Sequence, residues 1–360
     1  MKQTKENTPD SGIVQWESPS NIALVKYWGK SDIQIPKNPS ISFTLQEAKT
    51  ITRLEWKRKN TSRSQVEFDF LFHGNEKPEF IPKLEVFFSR IIEQMPFLKN
   101  YHLRISSENT FPHSSGIASS ASAMSALAAT LVDMEMIVNP SSKTDQEDFR
   151  IYASEISRLG SGSACRSFYP EAAIWGQSSF SGTSDRYAIG LGDHLHPEFH
   201  GYRDAILLIE QSPKAVTSTA GHHLMEENPY ASVRFSQAQE NIDRLLVILK
   251  KGDLEEFVKL VEAEAMTLHA LMMTSDPGYI LLHPRTLEVI QHLHAFRKDT
   301  RIPVCFTLDA GPNVHLLYPE KYTIEVEDFI KNELIQFCQD RQWISDRMGE
   351  GTKKLSSSTK

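Results

Sequence analysis

The sequence predicts an α+β protein folded in two lobes, and three observations support this fold class. Predicted strands cluster early in the chain, whereas helices mix with strands in the later part. The chain has 360 residues, 40% hydrophobic and 24% charged, which is typical of soluble globular proteins with one large or two medium domains. The sequence also contains no internal repeat.

The first domain is predicted to span residues 13–190, after a disordered tail at residues 1–12. An amphipathic helix is expected at 82–95, because its apolar residues fall on one face. A second helix should begin near Ile117. Apolar runs, alternation with period two and intervening charged turns predict strands at 21–28, 40–45, 50–56, 65–72 and 101–106.

The first domain should close with a helix at 144–159, with Thr144 as its candidate N-cap, and a strand at 168–175. Residues 176–200, rich in Gly, Ser, Asp and His, are the candidate link to a second domain at 200–344. The polar tail at 345–360 is predicted to be disordered. The second domain should contain a strand at 205–209, helices at 230–250, 253–273 and 285–297, and a hairpin of strands 304–308 and 314–318.

Composition and charge exclude several functional classes. The net charge of -7 argues against general nucleic-acid binding. Cys165, Cys305 and Cys338 form no CxxC pair, so neither a disulfide framework nor a zinc site is indicated, and a reducing cytoplasm is the expected location. The first residues lack the apolar core of a signal peptide, and no apolar run is expected to span a membrane. No HExxH motif occurs, so no metal ion ligated by the protein is predicted.

A hydroxyl-rich loop at 109–116 runs directly into a helix of small, uncharged residues at 117–130. Unpaired N–H groups in the first turn of a helix attract anions, so this pattern predicts a phosphate cradle. A serine-rich N-cap followed by a tightly packed core helix explains the pattern equally well. The loop is not a Walker A sequence, because no lysine follows its second glycine. Lysines from elsewhere or a metal ion would have to offset the phosphate charge.

Two further segments carry cationic groups. Lys26 follows four apolar residues, and a buried ammonium is costly unless it meets an anion. With Lys30 nearby, anion binding is favoured over an edge-strand lysine that reaches solvent. Glycines in Gly160–Ser167 permit a concave run of N–H groups, and the guanidinium of Arg166 matches a carboxylate. Taken alone, that segment is explained better as a flexible Gly-Ser loop.

Two more segments follow predicted strands. Asp309 ends an apolar strand and begins a Gly-Pro turn. It could hold or remove a hydroxyl proton, although Asp and Gly also form turns without any chemical role. The hydroxyl run at 216–222 could supply phosphate contacts or be an ordinary turn.

Together these segments resemble the diphosphomevalonate decarboxylases, a branch of the GHMP kinase superfamily, over about residues 18–318. The segments at 160–167 and 309–313 are specific to the decarboxylase branch. The resemblance implies the GHMP kinase fold, with an N-terminal lobe like the second domain of ribosomal protein S5 and an α/β C-terminal lobe. It rests on Asn-Ile-Ala through Lys-Tyr-Trp-Gly-Lys at 21–30, Phe-Pro through Gly-Ile-Ala-Ser-Ser-Ala at 111–121, Gly-Ser-Gly-Ser-Ala-Cys-Arg-Ser at 160–167 and Asp-Ala-Gly-Pro-Asn at 309–313.

The resemblance implies that ATP phosphorylates the tertiary hydroxyl of mevalonate 5-diphosphate, after which loss of phosphate and carbon dioxide gives isopentenyl diphosphate. Asp309 would orient or deprotonate the hydroxyl, Lys26 would keep that aspartate ionised, and Arg166 would hold the carboxylate. Mg²⁺ would bridge the phosphates of ATP. The residues expected near the substrate are Asn21, Tyr27, Lys30, Ser161, Ser163 and Ser218. Those expected to bind ATP are Pro112, Ser115, Gly116, Ala118, Ser119 and Ser120.

The resemblance further implies a cytoplasmic homodimer in the mevalonate pathway, with no nucleic-acid or membrane partner. Pro39 stands where serine is commoner, Pro170 and Glu171 replace two glycines, and the residues at 113–115 replace Thr-Ala-Ala. These departures leave open whether the substrate carries one phosphate or two.

Two other functions are compatible with the same motifs. A mevalonate 3-kinase or a phosphomevalonate decarboxylase would share the superfamily loop. Retention of Asp309, Lys26 and Arg166 favours decarboxylation over phosphorylation alone. A GHMP-fold sensor without catalysis should have lost its catalytic aspartate or its hydroxyl loop, and this chain keeps both.

Overall fold

The computed structural model describes residues 9–61, 63–112, 117–139, 145–211, 216 and 218–359, with the backbone alone for 218 and 219. The strands of the described chain are β1 (Ser11–Val25), β2 (Lys30–Ser31), β3 (Ile35–Pro36), β4 (Ser40–Arg58), β5 (Glu67–Phe72), β6 (Asn75–Glu76), β7 (Tyr101–Asn109), β8 (Ala172–Trp175), β9 (Ala188–Gly190), β10 (Arg203–Leu207), β11 (Cys305–Leu308), β12 (Val314–Tyr318), β13 (Trp343–Arg347) and β14 (Lys353–Thr359). The α-helices are α1 (Ile81–Ile91), α2 (Ser119–Val138), α3 (Gln146–Gly160), α4 (Ser218–His223), α5 (Ala231–Lys251), α6 (Leu254–Met273), α7 (Pro284–Thr300) and α8 (Thr323–Phe329).

The larger sheet is built around two long antiparallel strands, β1 and β4. Its strands run in the order β14-β1-β4-β7-β5-β6, and β8 and β9 extend the other half of β4. All pairings in this sheet are antiparallel except that of β5 with β7. The second sheet is antiparallel, in the order β11-β12-β10-β13. The mixed α and β architecture in two lobes confirms the predicted fold class.

A wide bulge divides β4 into two halves. Pro19 of β1 pairs with Lys49, but Asn21 pairs with Thr44, so residues 45–48 bulge out of the strand. The carboxylate of Asp346, on β13 of the other sheet, accepts the N–H groups of residues 46, 47 and 48 at 2.9, 2.9 and 2.8 Å. These bonds pair N–H groups that the strand ladder cannot reach. The bulge therefore joins the two lobes.

The hydrophobic core continues across the junction between the lobes. Phe43 on β4 stacks against Phe257 on α6, with ring centroids 5.8 Å apart and an interplanar angle of 17°. Phe199 and Tyr202, from the segment that connects the lobes, pack on the same rings. The connecting segment is therefore packed into the core, although its polar composition was the reason for predicting it as a link between domains. The bounds of the two domains, 13–190 and 200–344, stay a prediction.

The helix of small residues, α2, lies in the core of the first lobe. It packs on β1, β4 and α3, and most of its side chains are buried. By length and composition alone α2 could cross a membrane, so the expectation that no apolar run reaches that length was wrong. Of its apolar window, 78% is buried inside the protein, which is the pattern of a core helix.

Three predictions of secondary structure were wrong: the division of β4 into two strands, the N-cap of α3 and the disordered C-terminal tail. The expected strands at 40–45 and 50–56 are one strand, β4, because a bulge can interrupt pairing without ending the strand. Helix α3 is capped by Asp145, whose carboxylate accepts the N–H groups of Glu147 and Asp148, and the candidate Thr144 lies outside the described residues.

The tail predicted to be disordered at 345–360 instead contains the end of β13 and all of β14. Strand β14 pairs with β1 at the edge of the large sheet, from Gly12 to Glu17. Polar, solvated side chains suit an edge strand, so polarity alone did not distinguish it from a disordered tail. At the other terminus, residues 11 and 12 belong to β1, and the predicted disorder of 1–8 falls outside the described residues.

We predict that Asp346→Ala destabilises the protein, because it leaves three N–H groups in the bulge, that of the buried Ala48 among them, without an acceptor. The expected loss is about 1–3 kcal/mol, the cost of one unpaired buried group, since Gln46 is half-buried and Glu47 is exposed. Urea unfolding measures it. Asp299→Ala, at an exposed position on α7, is the control and should shift stability by no more than about 0.5 kcal/mol. Equal stability of the two variants would mean that the bulge does not depend on Asp346.

Candidate active site

The two lobes meet at an ion pair between residues far apart in sequence. Lys26 directly follows β1 and Asp309 directly follows β11. The Nζ atom of Lys26 lies 3.2 Å from Oδ1 of Asp309, and the side chains are 2% and 26% exposed, respectively. Burial lowers the pKa of the Lys26 ammonium, and the Asp309 carboxylate opposes that shift. A ligand can therefore reach this pair from the aspartate side.

The buried guanidinium of Arg166 lies close to the pair. Its Nη1 donates to Ser40 Oγ at 2.7 Å, its Nε donates to Ser42 Oγ at 3.0 Å, and its Nη2 donates to Asn21 Oδ1 at 3.2 Å. Burial lowers the pKa of Arg166, and the nearby Asp309 carboxylate raises it. The hydrogen-bond partners of this buried cation are all neutral, which is costly unless an anion binds beside it.

Asn21 and the segment Gly162–Phe168, a 3₁₀ helix, fix the orientation of that guanidinium. The Nδ2 atom of Asn21 donates to Ser167 Oγ at 2.9 Å and to the carbonyl oxygen of Ser163 at 3.1 Å, which leaves Oδ1 to face Arg166. The Gly-Ser segment is therefore a packed element and not a flexible loop.

The predicted phosphate loop is described only in part, because Ser115 and Gly116 lie outside the described residues and Pro112 precedes that gap. Helix α2 begins at Ser119, after Ala118 in a left-handed conformation with φ 37° and ψ 40°. Alanine has no side-chain acceptor, so no described side chain caps the first turn of α2. The alternative of a serine N-cap is thus not what the described residues form, and the first-turn N–H groups remain suited to an anion.

The two predicted loops approach each other at a pair of serines. Ser120 Oγ of α2 lies 3.3 Å from Ser161 Oγ, which precedes the 3₁₀ segment. Ser218 is the first residue of α4, and its side chain lies outside the described atoms. The structure thus brings Lys26, Asp309, Arg166 and Asn21 into one group and Ser120 and Ser161 into another.

A cavity of about 250 Å³ opens beside the first turn of α2. Part of its lining is aromatic, from Phe70, Phe72 and Phe80, and part is polar. Sequence reasoning missed this cavity, because its walls come from five separate segments: β4, β5, the start of α1, β7 and α2. The polar lining consists of Thr52, Lys83, Ser107, Asn109, Ser119 and Ser120, and the remaining apolar lining of Leu84, Ile105, Ala123, Met124 and Leu127.

Three basic side chains, Lys30, Lys83 and Arg90, act on one another at this side of the protein. Burial, and then the charge of Arg90, lower the pKa of Lys30, while the charge of Lys30 adds to desolvation in lowering the pKa of Lys83. In the part of the chain that the structure describes, no carboxylate lies within ion-pair distance of any of them. The cluster therefore attracts anions.

The rings of Tyr27 and His222 pack together near Lys30. The rings of Tyr27 and His222 lie 4.4 Å apart, and the Nδ1 atom of His222 accepts the N–H of Gly29 at 3.0 Å. Burial lowers the pKa of His222 to about 3, so the imidazole is neutral at physiological pH. The buried hydroxyl of Tyr27 has no hydrogen-bond partner among the described residues. A ligand could supply that partner.

One departure from the family pattern has a visible structural consequence. Glu171 adopts a φ of 58°, a left-handed conformation that glycine adopts without strain. Its carboxylate accepts a hydrogen bond from His200 Nδ1 at 2.7 Å. The described residues also contain no group of three or more His, Cys, Asp or Glu side chains placed to hold a metal ion.

Sequence reasoning also missed several residues that support the site. Ser40 and Ser42 alternate on β4, so their shared inward direction was readable from period two. Glu264 was detectable as a charge within the apolar stripe of α6, although nothing in the sequence named its partners. Lys83 looked like an ordinary exposed charge on an amphipathic helix.

Comparison with known proteins gives two family matches that together cover most of the chain. Residues 18–188 match the model of the diphosphomevalonate decarboxylase-like N-terminal domain. Residues 205–359 match that of the mevalonate 5-diphosphate decarboxylase C-terminal domain.

Individual relatives agree with these matches. The chain is 26% identical to diphosphomevalonate decarboxylase of Ganoderma lucidum over 87% of this chain and 80% of the relative. The solved structure of mevalonate diphosphate decarboxylase from Staphylococcus aureus is 25% identical, with a TM-score of 0.81 over 96% of this chain and 98% of that one. A complex of MDDEF with MVAPP, AMPPCP and magnesium has the same fold, at 23% identity and a TM-score of 0.81 over 96% and 99% of the two chains.

We predict that Tyr27→Phe does not destabilise the protein without ligand, because it removes a buried hydroxyl that has no described partner. Tyr152→Phe is the matched control, since the Tyr152 hydroxyl donates to Glu135 Oε2 at 3.0 Å. That control should lose about 1 kcal/mol, the usual net value of such a bond. Thermal unfolding compares them. A larger loss for Tyr27→Phe than for Tyr152→Phe would show that the Tyr27 hydroxyl is already paired.

Proposed function

Because this chain belongs to the diphosphomevalonate decarboxylase family, we propose that it converts mevalonate 5-diphosphate to isopentenyl diphosphate with consumption of ATP and release of carbon dioxide. The observation that carries the proposal is the group formed by Lys26, Asp309 and Arg166. The Asp309 carboxylate can bind the substrate hydroxyl, and the buried Arg166 cation can bind the substrate carboxylate. These are the two reacting groups of the substrate.

We assign the hydroxyl to Asp309. Its carboxylate, within 3.2 Å of the Lys26 ammonium, would accept the hydrogen bond of the tertiary hydroxyl and then its proton as phosphoryl transfer proceeds. Lys26 favours the ionised form of Asp309 and offsets negative charge in the transition state. Phosphorylation makes the oxygen a good leaving group. When it departs, the bond to the carboxylate supplies the electron pair of the new double bond.

We assign the substrate carboxylate to Arg166. Its guanidinium is held by Ser40, Ser42 and Asn21, so it would keep the carboxylate in one orientation until carbon dioxide forms. The neutral partners matter here. A carboxylate of the protein bonded to Arg166 would compete with the substrate, whereas serine and asparagine oxygens leave its charge available.

We assign the diphosphate to Lys30 and Arg90, with the Tyr27 hydroxyl as a further donor, whereas Lys83 lines the cavity assigned to the nucleotide. Two cations and a hydroxyl support a substrate with two phosphates over one with a single phosphate. Ser161, Ser163 and Ser218 stay predicted contacts of the substrate.

We assign the nucleotide to the cavity and the first turn of α2. The aromatic side chains of Phe70, Phe72 and Phe80 fit a flat base. Ser119, Ser120 and the uncapped first turn of α2 fit phosphate oxygens. ATP supplies the phosphoryl group, and Mg²⁺ on its phosphates offsets their charge, as the family complex with AMPPCP and magnesium supports. Pro112, Ser115, Gly116 and Ala118 stay predicted ATP contacts. A homodimer in the cytoplasm, without a membrane or nucleic-acid partner, also stays a prediction, which gel filtration and cell fractionation would test.

The direct test is to incubate the protein with ATP, Mg²⁺ and mevalonate that carries no, one or two 5-phosphates, and to measure ADP and carbon dioxide. Equal amounts of both products are expected, fastest with the diphosphate. ADP without carbon dioxide would indicate a 3-kinase and overturn the proposal. The fastest rate with the monophosphate would indicate a phosphomevalonate decarboxylase. As an internal control, Asp309→Asn should lower kcat by about a hundredfold or more while ATP still binds.

The nucleotide assignment predicts that Ala123→Phe fills the cavity and raises the KM for ATP about tenfold or more, because one base-sized volume is lost. The KM for the mevalonate substrate should change little. Met136→Phe, on the same helix but outside the cavity lining, is the matched control and should leave both KM values unchanged. An unaltered KM for ATP in Ala123→Phe would place the base elsewhere.

A further inference from the structure

We propose that Glu264 and Arg234, a buried ion pair on α6 and α5, are the positioning residues that hold Lys26 against Asp309. This inference rests on the proposed function, because it concerns the lysine assigned to the reaction. Neither residue touches the reacting groups. They act on the backbone of Lys26, on the side facing away from the site.

Both backbone polar groups of Lys26 are held by side chains. Its N–H donates to Glu264 Oε2 at 2.9 Å. Its carbonyl oxygen accepts from Arg234 Nη2 at 3.1 Å and from Asn38 Nδ2 at 2.9 Å. Lys26 is the first residue after β1, so the strand ladder no longer fixes its peptide groups. Side chains of α5 and α6 therefore take the place of the strand hydrogen bonds at the residue whose ammonium must be oriented.

The Glu264 carboxylate is fully buried and has four donors. Arg234 binds it through two N–H groups at 2.7 and 2.6 Å, Asn241 donates at 2.6 Å, and Lys26 supplies the fourth. A bidentate pair locked by further donors has one geometry. A glutamine at this position could not accept from all four, because its amide nitrogen is a donor.

Helix α6 also holds the other member of the catalytic pair. His269, five residues after Glu264 on the same helix, has its Nε2 atom 3.1 Å from the carbonyl oxygen of Asp309. One rigid helix therefore contacts the backbones of both Lys26 and Asp309. This arrangement sets the distance between two groups that belong to different sheets. The negative charge of Glu264 also raises the pKa of Lys26 against the effect of burial.

The test uses a double variant, Glu264→Leu with Arg234→Met. Removing one partner of a buried pair leaves an unpaired charge and unfolds many proteins, whereas replacing both by apolar residues is often neutral for stability. We expect the double variant to fold, to keep the KM for ATP within about threefold, and to lose about a hundredfold in kcat, as a displaced catalytic group does. The alkaline limb of its kcat profile should move to lower pH, because a Lys26 ammonium displaced from Asp309 and without Glu264 loses both carboxylates that raise its pKa, which outweighs the loss of the Arg234 charge.

The matched control is Glu262→Leu with Arg297→Met, which removes a second bidentate ion pair, between α6 and α7. This pair does not touch Lys26. That control should keep kcat within about threefold and leave the pH profile in place. A folded Glu264/Arg234 variant with wild-type kcat and wild-type pH profile would overturn the proposal. If that variant does not fold, Glu264→Gln keeps the size of the side chain but cannot accept from all four donors, and an unchanged kcat and pH profile there would equally overturn the proposal.

Failure of this proposal differs from failure of the proposed function. If the wild-type protein releases no carbon dioxide from any substrate, the function is wrong, and the positioning role is then decided by crystal structures alone. The distance from Lys26 Nζ to Asp309 Oδ1 should exceed 3.2 Å in the Glu264/Arg234 variant and not in the control. An unchanged distance in both variants would overturn the positioning role whatever the reaction is.

Discussion

A lysine ammonium buried 3.2 Å from an aspartate carboxylate is the interaction on which the rest of this structure depends. The two residues are 283 positions apart and follow strands of different sheets. Burial disfavours the charged form of Lys26, so the pair persists only where the surrounding structure fixes both partners. The continuous core between the lobes, the bulge bonded to Asp346 and the contacts of α6 all serve that requirement.

The charges of the site are arranged for anions that the protein itself does not supply. Arg166 is bonded to serine and asparagine oxygens, and no described carboxylate pairs with the cluster of Lys30, Lys83 and Arg90. Arg166, a buried cation whose described partners are neutral, reduces stability in the free protein. If the substrate binds as proposed, its carboxylate offsets that cost, and the basic cluster gives a chain with a net charge of -7 a local site for phosphates.

The positions of the polar supporting residues follow a common pattern. Glu264 and Arg234 lie behind Lys26, and Ser40 and Ser42 lie behind Arg166. In each case, buried side chains of a strand or helix form hydrogen bonds to a residue assigned to the reaction. Rigid elements hold such groups more accurately than loops do. Ser120 lies in the first turn of a long core helix, α2, and Ser161 directly precedes a packed 3₁₀ segment.

The sequence by itself determined the two-lobed α+β fold and most helices and strands, because periodicity is a local property of the chain. Through short motifs it also predicted Lys26, Arg166 and Asp309 as site residues, which the structure places near one another. It also determined the family, through motifs that the domain matches then confirmed. Only the tertiary structure decided that β14 completes the first sheet, that five segments enclose the cavity and that Glu264 accepts the N–H of Lys26. Each of these joins residues distant in sequence, and a polar tail, a scattered lining and a single buried charge carry no local signal of their partners.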